Sequence, residues 1–409
     1  MRRALLPRLS PMVATALLAA LAVATGPSAG APSAASAPAT LEVSTVAATA
    51  AAELPRPGTV LRSESLRRDL WIPGSTSRAF RLTYVTKDSH ERRARSTGTV
   101  FVPHGQPPRG GWPVVSWAHG ISGLGDSCAP SKVGPVLKER DWSYLRTWME
   151  QGYAVVASDY VGLGTPDLMP YLHGKAQAHS VVDMVKAGRS FTAGKARRLR
   201  LSDEWVTIGQ SQGGGASVYT ARYATAYGGK RLDFRGAVGT GTPAYIEDYV
   251  KLLGPQDPPL TADLNAYLVY IVASLRDVHP ELGIDEILTD AGKHYVGLAE
   301  VQCDEEFAET MDGVLISTLF EAPMATLPGL DETLADYMAM PESGFDTPVF
   351  MAHGAADVDV PYAQTARYAA RLAANDEPVT FRTYPSDHSG TMQASLEDTV
   401  PFVRRQFRR

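Results

Sequence analysis

The chain has 409 residues, 44% of them hydrophobic and 20% charged, with a formal net charge of −5. That is globular composition, outside the collagenous and disordered classes. It lacks the basic field that nucleic-acid binding needs, and its length allows one large domain or two ordinary ones.

The N-terminus sets the expected compartment. Arg2, Arg3 and Arg8 precede an apolar run over residues 12–24, which is too short to cross a bilayer. Ala29-Gly30-Ala31 then offers a small-x-small cleavage site. Together these predict a secretory signal peptide over residues 1–31 and a secreted product. Cleavage removes three Arg and no acid, taking the charge from −5 to −8. It leaves no integral membrane segment, and no Cys stands near the site to carry a lipid anchor. Residues 32–55, mostly Ala, Ser, Thr, Val and Pro, read as a flexible leader.

The folded domain is expected over residues 56–409. Short β-prone runs at 79–85 and 97–102 suggest an antiparallel opening hairpin. Compact apolar runs at 113–117, 153–157, 205–208, 236–238, 348–352 and 379–384 read as buried parallel strands. Helical patterns over 144–151, 179–191, 216–227, 363–374 and 396–407 lie among them. This alternation predicts a mostly parallel sheet flanked by helices on both faces. Residues 240–347 break the rhythm, with helical segments expected at 262–275, 284–291 and 313–320. A stretch that long cannot be a loop, so it reads as a helical cap inserted at about 242–346.

The chemistry centres on Gly209-Gln210-Ser211-Gln212-Gly213, a G-x-S-x-G motif between a strand run and a helix. That context makes Ser211 the nucleophile on a sharp strand-to-helix turn. Glycines two residues either side avoid collisions there. A hydroxyl needs a base. Of nine His, His388 lies in the loop after the last strand and before the last helix, where an α/β-hydrolase fold carries its base. His119 and His353 each end a strand before a Gly and read as braces near the site. His90, His104, His173, His179, His279 and His294 read as surface or hydrogen-bonded residues. Asp357, just past a strand end, is the orienting acid. Asp359 reads as a helix cap or surface charge, and Asp346 lies at the wrong end of its strand. The order Ser211, Asp357, His388 is that of α/β-hydrolases.

The backbone N–H of Gln212 is the expected first oxyanion donor. The second comes from His119-Gly120-Ile121 or from Asp159-Tyr160, and the residues by themselves slightly favour the first. Leu268, Val269, Ile271, Val314, Leu315, Ile316 and Phe320 are the expected acyl-chain wall. Cys128 and Cys303 form one disulfide in the economical reading of an exported chain, with two buried thiols the alternative. No zinc spacing and no HExxH appears, so no metal or cofactor is expected.

Several segments match one family in order over roughly residues 58–408. They are Ser116-Trp117-Ala118-His119-Gly120 with Cys128-Ala129-Pro130-Ser131, residues 152–159 ending in Ser158-Asp159, and residues 209–213. Gly241-Thr242-Pro243, His353 through Asp357 to Tyr362, and Tyr384-Pro385 through His388 complete the set. The chain thereby resembles the secretory lipases. The resemblance implies Ser211, Asp357 and His388 as triad, and Asp159 with the Gln212 N–H as oxyanion hole, displacing the His119 loop. It also implies a Cys128–Cys303 disulfide and hydrolysis of carboxylic esters, including acylglycerols.

There are two departures. Gln212 stands where the yeast enzyme of the family has a second Gly. The chain also ends soon after His388, where that enzyme continues into a C-terminal flap, so a long-chain preference is not carried over. The expected partner is a small-molecule or lipid ester; the oligomeric state is left open. A serine peptidase or acyltransferase on the same fold is the alternative, with Glu305 or Glu306 able to bind a substrate amine. A non-catalytic scaffold is a further one.

Overall fold

The computed structural model describes residues 53–408. The expected signal peptide and nearly all of the leader lie outside the described residues. Nine strands form one sheet: β1 (Val60–Ser65), β2 (Thr76–Lys87), β3 (Arg93–Pro103), β4 (Trp112–Ala118), β5 (Ala154–Val161), β6 (Leu201–Gln210), β7 (Asp233–Thr240), β8 (Val349–Gly354) and β9 (Val379–Tyr384). Their spatial order is β1-β2-β3-β5-β4-β6-β7-β8-β9. The first pairings, through β3–β5, are antiparallel, and the rest of the sheet is parallel.

Side chains alternate between the two faces, as the two-residue period of a strand requires. Along β4, Val114 and Ala118 join the larger core, while Val115 and Trp117 join the smaller. The smaller core packs beneath α1 (Lys138–Glu150), through Tyr144 and Trp148, and beneath the C-terminal helix Leu396–Gln406, through Phe402 and Val403. The larger packs beneath α2 (Gly174–Ala193) and α3 (Gln212–Gly228). Apolar residues on both faces of the central strands produce the continuous hydrophobic runs of the sequence.

Between β7 and β8 lie α4 (Ala262–Val278), α5 (Asp290–Ala299), α6 (Asp304–Thr310) and α7 (Leu330–Met338), with shorter turns between them. The helix expected at 284–291 does not form as such. A 3₁₀ turn over Ile284–Glu286 gives way to a bridge between Leu288 and Phe320. Thr289 then caps α5, accepting from the Gly292 N–H at 3.0 Å. The helix expected at 313–320 is likewise a single 3₁₀ turn, Ile316–Leu319. The same Leu288–Phe320 pairing holds the chain extended there.

Candidate active site

β6 ends at Gln210, and α3 begins at Gln212. Ser211 stands between them with φ 58° and ψ −124°, a conformation outside the ordinary regions for a side-chain-bearing residue. Neighbouring backbone dictates the flanking glycines. A Cβ on Gly209 would strike the Gly213 carbonyl, and one on Gly213 would strike the Ala118 carbonyl. The turn is anchored by the Ser211 N–H, which donates to the Thr240 carbonyl at 2.9 Å.

His388 and Asp357 follow β9 and β8. His388 Nδ1 lies 2.7 Å from Asp357 Oδ2, both side chains almost wholly buried. Asp357 Oδ1 accepts from the N–H groups of Val360, at 2.8 Å, and Asp359, at 3.0 Å. Buried His353 brings Nε2 to 3.1 Å from Asp357 Oδ2, so the carboxylate has a second histidine beside it. Burial alone would raise the Asp357 pKa. Hydrogen bonds from His353 and His388, the His388 charge and the Val360 N–H outweigh it, holding the carboxyl well below its ordinary value. Asp357 is thus built to stay ionised opposite the imidazole. His353 is the brace that the sequence suggested.

Gly241 brings Ser211 and His388 to the same rim. It follows Thr240, whose carbonyl anchors Ser211, and a Cβ there would lie 2.7 Å from His388 Cε1. The Ser211 hydroxyl and the His388 ring share no hydrogen bond in this conformation among the described residues. Gln210, which sequence reasoning passed over, ties the two loops. Its side-chain Nε2 donates to the His388 carbonyl at 2.8 Å, and its Oε1 accepts from the Thr240 hydroxyl.

Asp159 occupies an irregularity in β5. Against β3, Ser96 pairs with Val161 and Gly98 with Ser158, so β5 carries one extra residue. Tyr160 there has φ 71°. Such a bulge leaves backbone outside the ladder and re-aims it, commonly beside an active site. The buried Asp159 carboxylate accepts from Thr97 Oγ1 at 2.5 Å, from the Ser131 N–H at 2.9 Å and from Ser131 Oγ. Its side chain is thus committed to β3 and to the loop at Ser131. The Gln212 side chain points instead to Met169 Sδ, at 3.7 Å. The competing His119 is buried, with Nδ1 2.6 Å from the Gly120 carbonyl and its pKa lowered by burial. The Cys128–Cys303 disulfide is formed, with Cα atoms 5.3 Å apart. It fastens the loop after β4 to the start of α6.

A pocket of about 190 Å³ opens beside Ser211. Leu264, Tyr267, Leu268 and Ile271 of α4 line it, together with Tyr171, Leu260 and Pro361. Of the expected acyl wall, Leu268 and Ile271 are in place. Val269, Ile316 and Phe320 are buried in the core, and neither Val314 nor Leu315 lines this pocket. The reason is helical period: positions 264, 268 and 271 share a face of α4, and 269 falls on another. Asp359, expected to be a cap or a surface charge, lines the pocket half-buried. No described helix is long and apolar enough to cross a membrane.

The fold is shared with solved structures. Candida antarctica lipase A in its closed state superposes with a TM-score of 0.71 at 21% identity, covering 86% of this chain and 82% of that one. The rice cell wall degrading esterase LipA of Xanthomonas oryzae gives 0.69 at 19%, covering 86% and 98%. By sequence, Lipase A of Moesziomyces aphidis is 24% identical over 86% of this chain and 76% of its own length. A secreted triacylglycerol lipase of Malassezia restricta is 22% identical over 85% and 75%. The sequence pattern of the secretory lipases matches residues 129–400, well over half of the chain, from the Cys-Ala-Pro-Ser loop to the last helix, and the chain belongs to that family.

Proposed function

We propose that this protein is a secreted serine carboxylic-ester hydrolase acting on acylglycerols or related fatty-acyl esters through an acyl-serine intermediate. The observation that carries the reading is the 2.7 Å contact between His388 Nδ1 and an ionised, buried Asp357, at the rim where Ser211 is held on its elbow. Fixing Nδ1–H against the carboxylate leaves Nε2 as the basic nitrogen. In this reading a small rotation of the Ser211 side chain brings Oγ within reach of Nε2. His388 takes the proton as Oγ attacks the ester carbonyl, and Asp357 stabilises the imidazolium.

The tetrahedral oxyanion is received by the N–H of Gln212, in the unpaired first turn of α3, and by that of Asp159 on its bulge. His388 then returns the proton to the departing alcohol. A water activated by the same ring releases the acid. The helical stretch between β7 and β8 acts as a cap, its α4 face supplying the acyl wall. The signal peptide expected from the sequence and the similarity to a secreted lipase of Malassezia restricta support export.

Labelling with a fluorophosphonate probe, together with turnover of p-nitrophenyl butyrate, tests the mechanism. Both are expected in the wild type and lost in Ser211→Ala. Undiminished turnover by Ser211→Ala would refute it.

A further inference from the structure

Asp359 is the one charged side chain among the described residues that line the pocket; its neighbours there are chiefly aliphatic or aromatic. Its backbone N–H donates to Asp357 Oδ1, but its carboxylate has no hydrogen bond or ion pair among the described residues. One ligating atom each of Asp357, Asp359 and His388 lie within 4.8 Å of one another, so the free carboxyl sits close to the reacting centre. The charges acting on it most strongly are those of His388, Asp357, Asp263 and Asp387, with no Lys or Arg among them. A carboxylate unmatched by a cation on an apolar wall discriminates among ligands by charge, because like charge is repelled and opposite charge or a hydrogen-bond donor is attracted. Burial raises its pKa, with His388 opposing.

We propose that Asp359 is the specificity-determining residue of the pocket, a charge filter that rejects esters whose acyl chain bears an anionic group and favours those whose acyl chain bears a cation or a hydrogen-bond donor. The same repulsion acts on the carboxylate product, which forms a short distance from Asp359 and is driven out of the pocket. The proposal rests on the hydrolytic reading above and adds the substrate class that the site selects. Position 359 thereby acts on binding, and its signature is a ratio between substrates rather than a rate with any one of them.

The test uses three p-nitrophenyl esters of matched length in mildly alkaline buffer at low salt: hexanoate, the adipate half-ester with its terminal carboxylate, and 6-aminohexanoate. For the wild type, kcat/KM is expected to rank amino above neutral above carboxylate. In Asp359→Asn the carboxylate-to-neutral ratio should rise, and the amino-to-neutral ratio should fall, each on the order of tenfold for unit charges about 6 Å apart in a half-open site. Asp359→Glu should keep the wild-type ranking. Inhibition by hexanoate should tighten in the Asn variant. Unchanged ratios in Asp359→Asn would overturn the filter. If that variant does not fold, the wild type decides: its ratios should compress with added salt, and salt-insensitive ratios would also overturn it. Neither result touches the hydrolytic reading, which fails only if Ser211→Ala retains turnover of the neutral ester.

Discussion

Replacing Cys128 and Cys303 together by Ser removes the link between the loop after β4 and the start of α6. The two residues are 175 positions apart, so the bond closes a long loop in the unfolded chain. On the chain-entropy account a loop of that size is worth about 5 kcal/mol at room temperature. Spread over a domain of about 350 residues, with about 2.1 cal/mol/K of unfolding entropy each, this corresponds to a fall in Tm of about 7 °C. Function should suffer sooner. Gly123 pairs with Cys303 across an isolated bridge, and the Asp304 N–H donates to the Ser122 carbonyl at 3.2 Å. Loosening the bond therefore frees the segment directly after His119 and Gly120. Differential scanning fluorimetry of the double variant, alongside residual esterase activity after graded heating, reads both effects. A Tm within about 1 °C of the wild type would refute the entropic reasoning.

Two further substitutions probe the site. Asp357→Asn keeps the shape but loses the charge opposite the imidazole, and kcat should fall on the order of 10⁴-fold. Because folding holds the Asp357 pKa below its unfolded value of about 3.9, the group contributes stability that is present above that pH and lost as pH falls through the folded value. Urea melts in the acid range should therefore show a shallower loss of stability for the Asn variant than for the wild type. Asp159→Asn presents an amide that cannot accept from Thr97 Oγ1, Ser131 N and Ser131 Oγ together, and should cost about 2 kcal/mol or more in urea denaturation, along with most of the activity. An unchanged denaturation midpoint would contradict the role given to that carboxylate.

The central parallel strands were legible because burial on both faces writes them as apolar runs, and the expected 348–352 overlaps β8, which is buried throughout. β1 was not, because an edge strand reading Val-Leu-Arg-Ser-Glu-Ser is mostly exposed and carries no such run. The elbow could be read from steric necessity at Gly209 and Gly213. The β5 bulge could not, since an extra residue in a ladder leaves no mark in hydrophobic patterning. The stretch between β7 and β8 was hardest: its 3₁₀ turns and bridge are set by contacts distant in sequence, such as Leu288 with Phe320. The place of Asp359 in the pocket was not legible, because a half-buried acid two residues from Asp357 looks, in sequence, like any loop charge.

The amide of Gln210 reaches across to the backbone of residue 388 while the next residue in the chain carries the hydroxyl proposed to attack the ester. The two halves of the proposed proton relay, separated by more than a third of the polypeptide, are thus clamped to the tip of one central strand. Twisting of the outermost strand would be damped before it reached the imidazole. For protein engineers, randomising the variable position ahead of the serine would chiefly detune the proton acceptor and leave the attacking group in place.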